Sequence, residues 1–420
     1  MEAVKEKPQL QKYPAYKDSG VEWLEEVPEH WELRRLGSRF EERKTKVSDK
    51  DFPPLSVTKN GIFPQLDNAA KSNDGDNRKL VKKGDFVINS RSDRKGSSGI
   101  SDLDGSVSLI NIVMKPYNLY GPFSNYLLKS TAFVEENYRI GHGIVADLWT
   151  TRFDELKNIK AAFPPFDEQT AIAHFLDEKC GKIDTAITQK QQLIELLKKR
   201  KQIIIQNAVT KGLDPNVKMK ESDVEWIGQI PVHWEVKKLK HSAALRSDKT
   251  VSKFSTMNYL GLENIESWTG NLIETDSETE GQANCFKVGD VLFGKLRPYL
   301  AKVLLAKKDG ICSGEILAFN ANEEVYNSYL HKVMLSYRFI DLIDSSTYGA
   351  KMPRANPTFI KHQIIPIPGF DEQQEIVKYI NDQVQKSDKT IDFQRQQIEK
   401  LKEYKSSLID AAVTGKIKVS

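Results

Sequence analysis

The sequence predicts a mixed α+β (α/β) protein built as a pseudo-twofold tandem duplication. Two globular domains are separated by two long antiparallel coiled-coil helices. Three observations carry this. A segment of nearly fifty residues occurs twice without a gap, a tryptophan-bearing motif occurs twice ahead of it, and short strand-like runs ending in basic loops fill the intervals. The expected boundaries are 1–165 for the first domain, 166–213 for the first helix, 214–369 for the second domain and 370–420 for the second helix.

The repeated segments start at Phe166 and Phe370, and the offset of 204 holds to the end of both. Within them apolar residues alternate by four and three. The first copy places Leu176, Cys180, Ile183, Ile187, Lys190, Ile194, Leu197, Lys201, Ile204 and Ala208 on one seam. The second places Ile380, Val384, Ser387, Ile391, Gln394, Ile398, Leu401, Lys405, Leu408 and Ala412 there. A mean spacing of 3.5 is that of a coiled coil. No Pro or Gly interrupts 182–211 or 370–414, and Gly212 and Gly415 stand where a helix cap is expected. So long a seam must be buried, and each copy is the natural partner of the other. Antiparallel packing is expected, because parallel helices would crowd both domains at one end. Lys190/Gln394 and Lys201/Lys405 are the polar seam positions expected to fix register.

The second repeat covers residues 18–36 and 222–239. It holds Trp23, Pro28, His30 and Trp31 in one copy and Trp226, Pro231, His233 and Trp234 in the other, hence four of the six tryptophans of the chain. A histidine at the same place twice invites a catalytic role. The preferred reading is a docking segment whose aromatic rings pack on the domain, with a turn leading into a strand or helix. Residues 1–16 are expected to form a loose leader.

At 420 residues the chain has room for two or three cores. Charged residues make up 29% but the net charge is only +4, so affinity for nucleic acid would have to come from local basic patches. Cys180, Cys285 and Cys312 are scattered, which fits reduced thiols in a cytoplasmic protein better than a disulfide frame or a zinc site. The first residues are too polar for a signal peptide, and no apolar run approaches a membrane span.

Between the repeats, residues 80–91 read as a turn at Lys83-Gly84 followed by a strand, and residues 105–116 as another strand. A basic loop lies between them, with Arg91, Arg94, Lys95, Ser97 and Ser98. The second domain has the parallel element: Gly289-Asp290 matches Gly84-Asp85, and the strand 291–293 runs into Lys295, Arg297 and Tyr299. Lys351 and Arg354 follow later, between a glycine and a proline. Loops of this kind suit DNA. Arg and Lys neutralise phosphates, serine hydroxyls and glycine amides approach the backbone, and Arg pairs with guanine edges in the major groove. Any single basic loop is more often a solvated turn; two at homologous places carry more weight.

Catalytic motifs are lookalikes. Residues 163–166 (FPPF) and 356–359 (NPTF) have the look of the tetrapeptide of DNA amino-methyltransferases, but neither follows a glycine-rich cofactor loop. Asp177-Glu178-Lys179 resembles a nuclease cluster, yet it lies on the helix and its copy is Asn381-Asp382-Gln383. There is no phosphate-binding loop, H-E-x-x-H, G-x-S-x-G or spaced Cys/His set.

The Trp motifs, the strand-loop elements KKGDFVINSR and VGDVLFGKLRPYL, and above all the P-x-x-x-E-Q start of each helix (Pro164/Pro165 with Glu168-Gln169, and Pro368 with Glu372-Gln373) together resemble the specificity subunit of type I restriction-modification systems. The resemblance covers essentially the whole chain. It implies two target recognition domains that bind a split, asymmetric sequence in double-stranded DNA, one half-site each, with the helices setting the unspecified spacer. It implies a non-enzymatic subunit without a cofactor of its own. The expected partners are two methylation subunits that bind S-adenosylmethionine and flip and methylate an adenine, and motor/endonuclease subunits that use ATP and Mg2+. Arg91, Arg94, Lys95, Ser97, Ser98, Lys295, Arg297, Tyr299, Lys351 and Arg354 are then the candidate DNA contacts, and no membrane is involved. The alternative is a coiled-coil scaffold with two protein-binding end domains.

Overall fold

The computed structural model describes residues 11–65, 75–142, 150–252, 257–275, 281–349 and 351–419. The chain divides into two compact units, residues 1–190 with 396–420, and residues 191–395. The division falls inside both long helices, Phe166–Lys211 and Phe370–Val413. Each unit therefore holds one α/β domain, the start of the helix that follows it, and the end of the other helix.

In the first unit an antiparallel sheet runs in the order Ser98–Ile100, Phe86–Asn89, Asn111–Pro116, Phe40–Glu42. A three-stranded sheet joins Gly105–Val107, Arg78–Val81 and Lys46–Val47. The strand Phe86–Asn89 is apolar over its first three residues because these are buried on both faces. Alternate side chains point to opposite sides, so Phe86 and Ile88 enter the main core while Val87 joins Val81, Val107 and Val113 in a smaller one. The second unit repeats this. Val291 and Phe293 face the main core, and Leu292 faces a satellite core with Ile316, Ala318 and Leu304. Paired nine-residue helices follow in each unit, Gly121–Lys129 with Thr131–Arg139 and Asn327–Leu335 with Tyr337–Ser345. The sequence 105–116 is two strands, not the single one expected. Asn111 N–H bonds to Ser108 C=O at a turn, and the strands on either side belong to different sheets.

The helices pair antiparallel inside each unit. In the first, Leu176, Cys180 and Ile183 share a core with Leu408, Ala412 and Val413; in the second, Ile205, Ala208 and Val209 share one with Ile376, Val377 and Ile380. Every seam position named from the sequence is buried or half-buried. Two seam lysines set the register with the same partner twice. Lys405 donates to Asp184 at 2.7 Å, and its duplicate Lys201 donates to Asp388, the duplicate of Asp184.

The tryptophan motif docks on the start of the helix. Glu168 accepts hydrogen bonds from Tyr13 Oη and, at 3.2 Å, Trp31 Nε1, and lies 2.8 Å from His30 Nε2. Glu372 accepts from Trp234 Nε1 at 3.0 Å and lies 3.0 Å from His233 Nε2. The carboxylates sit in the first turn, where the helix dipole favours negative charge. The neighbouring glutamines are buried ties. Gln169 accepts from Tyr120 N–H and donates to Pro164 C=O, both at 2.9 Å; Gln373 accepts from Tyr326 N–H and donates to Glu324 and Pro368 C=O. The repeated histidines thus belong to a joint, as the docking reading holds. The joint also receives the end of the other helix. Gly415 at φ +76 lies against Pro28 and Trp31, and Gly212 at φ +73 against Trp234 and Pro231.

The leader expectation fails from Gln11 onward. Gln11 bridges to Lys418, and Tyr13 is buried; burial first, then the Glu168 carboxylate, drives its phenol far above the usual range. Residues 1–10 of that expected leader lie outside the described residues.

Candidate nucleic-acid interface

Each domain carries a surface built from the end of one strand and a hairpin stapled to it by backbone bonds. In the second unit the strand Val291–Gly294 ends at Lys295, whose N–H donates to Glu315 C=O and whose C=O accepts from Ala355 N–H, both at 2.9 Å. Leu296 bridges to Arg354. Arg354 closes a hairpin with Tyr348 through two backbone bonds of 3.0 and 3.2 Å. Its guanidinium Nε lies 3.2 and 3.3 Å from the Glu315 carboxylate oxygens. Arg297 N–H donates to Pro353 C=O at 2.7 Å. These bonds hold Arg297 at φ 49, ψ 61, a left-handed conformation unfavourable to any residue with a Cβ. Its guanidinium reaches the Lys351 carbonyl at 3.4 Å. Lys295, Arg297, Tyr299, Lys351 and Arg354, separated by some fifty residues in sequence, are therefore one surface.

The first unit has the same construction. The strand Phe86–Asn89 leads to Arg91, which bridges to Thr150; Thr150 also pairs with His142 through bonds of 3.1 and 3.3 Å. Thr151 N–H fixes the root on Ser90 C=O at 3.0 Å. Arg91 and Arg94 are exposed. Lys95 is engaged locally: its ammonium bonds Glu135 at 2.6 Å and lies 4.3 Å from the centre of the Tyr138 ring.

Two candidates from the sequence are not on the surface. Ser97 is 5% exposed and Ser98 fully buried, because Ser98 belongs to a strand registered on Ile88. Their hydroxyls offer nothing to a phosphate in this conformation. The sequence reading also missed two parts of the surface. The pairing of His142 with Thr150 carries no basic cluster to mark it, and Tyr348 and Met352 flank Lys351 without a motif to mark them.

Beneath each loop the repeated Gly-Asp is structural. Asp85 receives both guanidinium arms of Arg43 at 2.7 and 3.0 Å and the Lys82 N–H at 2.8 Å. Asp290 receives both arms of Arg246 and the Lys287 N–H at 2.8 Å. The hydrogen bonds to these carboxylates raise the pKa of both arginines further. A buried bidentate pair thus anchors the turn before the strand Phe86–Asn89 in one unit and Val291–Gly294 in the other.

The lookalike catalytic motifs have structural partners. Asp177 accepts from Tyr126 Oη at 2.8 Å, Glu178 pairs with Lys182 one turn on, and Asn356 caps the helix Pro357–His362 through Thr358 N–H. Among the described residues no group of three or more His, Cys, Asp and Glu side chains is arranged to hold a metal, and no helix is long and apolar enough to cross a membrane.

Residues 231–403 match the family model described as type I restriction modification DNA specificity domain. The chain is 25% identical over 250 residues to the Type I restriction enzyme EcoDI specificity subunit of Escherichia coli, covering 54% of this chain and 56% of that one. It is 25% identical over 279 residues to the MjaVIII specificity subunit of Methanocaldococcus jannaschii, covering 63% of each. The chain thus matches little more than half the length of these relatives. In fold it resembles a chain from a structure of a type I restriction-modification system, with a TM-score of 0.68, 14% identity, and coverage of 92% of this chain and 98% of that one. It also resembles the HsdS subunit from Thermoanaerobacter tengcongensis, with a TM-score of 0.53, 15% identity and coverage of 93% and 98%. Residues 231–403 thus match the DNA specificity domain of type I restriction-modification systems, and the chain is similar to the specificity subunits of those systems.

Proposed function

We propose that this chain is the DNA-reading subunit of a type I restriction-modification complex. Residues 1–165 and 214–369 act as target recognition domains, each binding one half of a split asymmetric site in double-stranded DNA. The long helices, 166–213 and 370–420, set the spacer between the halves. The chain itself is non-catalytic and holds no cofactor. It acts in the cytoplasm with two methylation subunits, which bring S-adenosylmethionine and modify an adenine that must leave the stack to be reached, and with motor/endonuclease subunits that use ATP and Mg2+.

The observation that carries this is the duplicated surface. In both units a residue just past the strand end bridges to a later residue, which itself pairs with a third (Arg91 to Thr150 to His142, and Leu296 to Arg354 to Tyr348), and the side chains at these places differ. Duplicated framework with divergent exposed residues is what two readers of different half-sites require. In the second unit Arg297 and Lys351 would meet phosphates or guanine edges. In the first, Arg91 and Arg94 are exposed in the same way, while Lys95 would first have to leave Glu135.

The test is methylome sequencing of the host with and without the gene. Loss of adenine methylation at one bipartite motif supports the proposal and gives both half-sites and the spacer. Unchanged methylation, together with no sequence-selective enrichment of DNA by the assembled complex, refutes it in favour of a scaffold.

A further inference from the structure

The second unit's surface exposes three large apolar side chains among its cations. Tyr348 is 63% exposed, Met352 49% and Tyr299 45%. Isolated exposed apolar residues are ordinary on a protein surface; a cluster is not. These three are held together by the backbone. Tyr348 and Arg354 close the hairpin, Gly349 at φ +96 makes its sharp turn against the Met352 carbonyl, and Pro353 C=O takes the Arg297 N–H. The apolar tip is therefore fixed beside the loop that carries Arg297 and Tyr299. The Arg297 guanidinium reaches the carbonyl of Lys351, the neighbour of Met352, and the Glu315 carboxylate is tied to Arg354. Such a surface is complementary to a polyanion that also offers small apolar groups. The major groove of DNA offers one: the C5-methyl of thymine, which protein apolar groups contact directly.

We infer that the hairpin tip, with Met352 as the contacting side chain and Tyr348 and Tyr299 walling it, reads a thymine methyl in the half-site of the second domain. This rests on the DNA-reading proposal and adds the chemical group recognised. Lys351 and Arg297 hold the backbone on either side, while the Met352 thioether, flexible and polarizable, covers the methyl and excludes a base pair that lacks it.

The test uses the full-length chain in its assembled complex. Selection from random duplexes first gives the bipartite site. Competition binding then compares duplexes in which each thymine of the second half-site is replaced, one at a time, by uracil, which removes only the methyl. The expected result is one position at which uracil weakens binding about fourfold, the factor for one methyl-sized group removed from an apolar contact. In Met352→Ala that sensitivity disappears, and in Met352→Leu most of it remains. Equal binding of uracil and thymine at every position overturns the inference while leaving the DNA-reading proposal standing. So does a Met352→Ala complex that keeps full uracil sensitivity. Failure to enrich any sequence overturns the parent proposal, and this inference with it.

Discussion

Replacing Arg297 by glycine and by alanine separates what the backbone needs from what the side chain does. At φ 49 and ψ 61 the residue is left-handed, which costs a residue with a Cβ about 1–2 kcal/mol. The conformation persists because it is over-determined: Arg297 N–H is held by Pro353 C=O, Leu300 N–H returns to Arg297 C=O, and Ala301 at φ 46 closes the same turn. Alanine keeps the strain and loses the guanidinium. Glycine loses both, but its freer unfolded chain takes back about 0.4–1 kcal/mol. Arg297→Gly should therefore be about 0.5–1 kcal/mol more stable than Arg297→Ala in urea unfolding followed by tryptophan fluorescence. Both should weaken binding to the bipartite duplex by about 1–3 kcal/mol, or roughly 5- to 150-fold in fluorescence anisotropy. A strained arginine whose removal improves the fold and harms binding is one kept for its ligand. Glycine no more stable than alanine would refute the strain, and unchanged affinity in both variants would refute the contact.

The two capping glycines should differ. A Cβ at Gly415 would lie 2.3 Å from Pro28 Cδ, whereas at Gly212 the nearest atom is Trp234 Cζ2 at 3.3 Å. Gly415→Ala should therefore cost about 2–4 kcal/mol, strain plus overpacking, and Gly212→Ala about 1–2, as compared by urea midpoints. Asp290→Ala should cost about 3–5 kcal/mol in the same assay, because it strands the Arg246 guanidinium and the Lys287 N–H around a fully buried carboxylate site. His331 is buried with its Nε2 3.2 Å from Val303 C=O, and burial lowers its pKa from 6.5 to about 3. The unfolded chain thus takes up the proton first, so this contribution to stability is whole above about pH 6.5 and lost as pH falls toward 3. Between pH 7 and 5 the wild type should lose about 2 kcal/mol more than His331→Gln, read as the difference between their urea unfolding curves.

The helices and their joints were readable because their constraints act between side chains. Glu372 needs Trp234 and His233, Lys405 needs Asp184, and Gln373 must reach three backbone groups, so a change at one position spoils another far away. Both copies kept those residues, at an offset of 203 in the tryptophan motif and 204 in the helices. The small residues at 97–99 misled because smallness has two causes. A flexible loop favours Gly and Ser, but so does a strand packed closely on another backbone. Here a Cβ on Gly99 would stand 3.2 Å from Gly61 Cα, and Gly105 has no room against Pro53 C=O and Leu55.

The reading surfaces were legible only in part for the opposite reason. Their parts are held to the strand ends by backbone C=O groups, which every residue has, and N–H groups, which only proline lacks, so Arg91 with Thr150 does the work of Leu296 with Arg354. The hairpins also differ in span, from 142 to 150 and from 348 to 354, which breaks the constant offset that exposed the helices. A staple made of backbone leaves no signature in sequence, and for that reason leaves the side chains above it free to change. The same physical choice that hides the site from a sequence comparison allows each copy to acquire its own recognition residues without disturbing the joint, the helix register or the Arg–Asp pair beneath it.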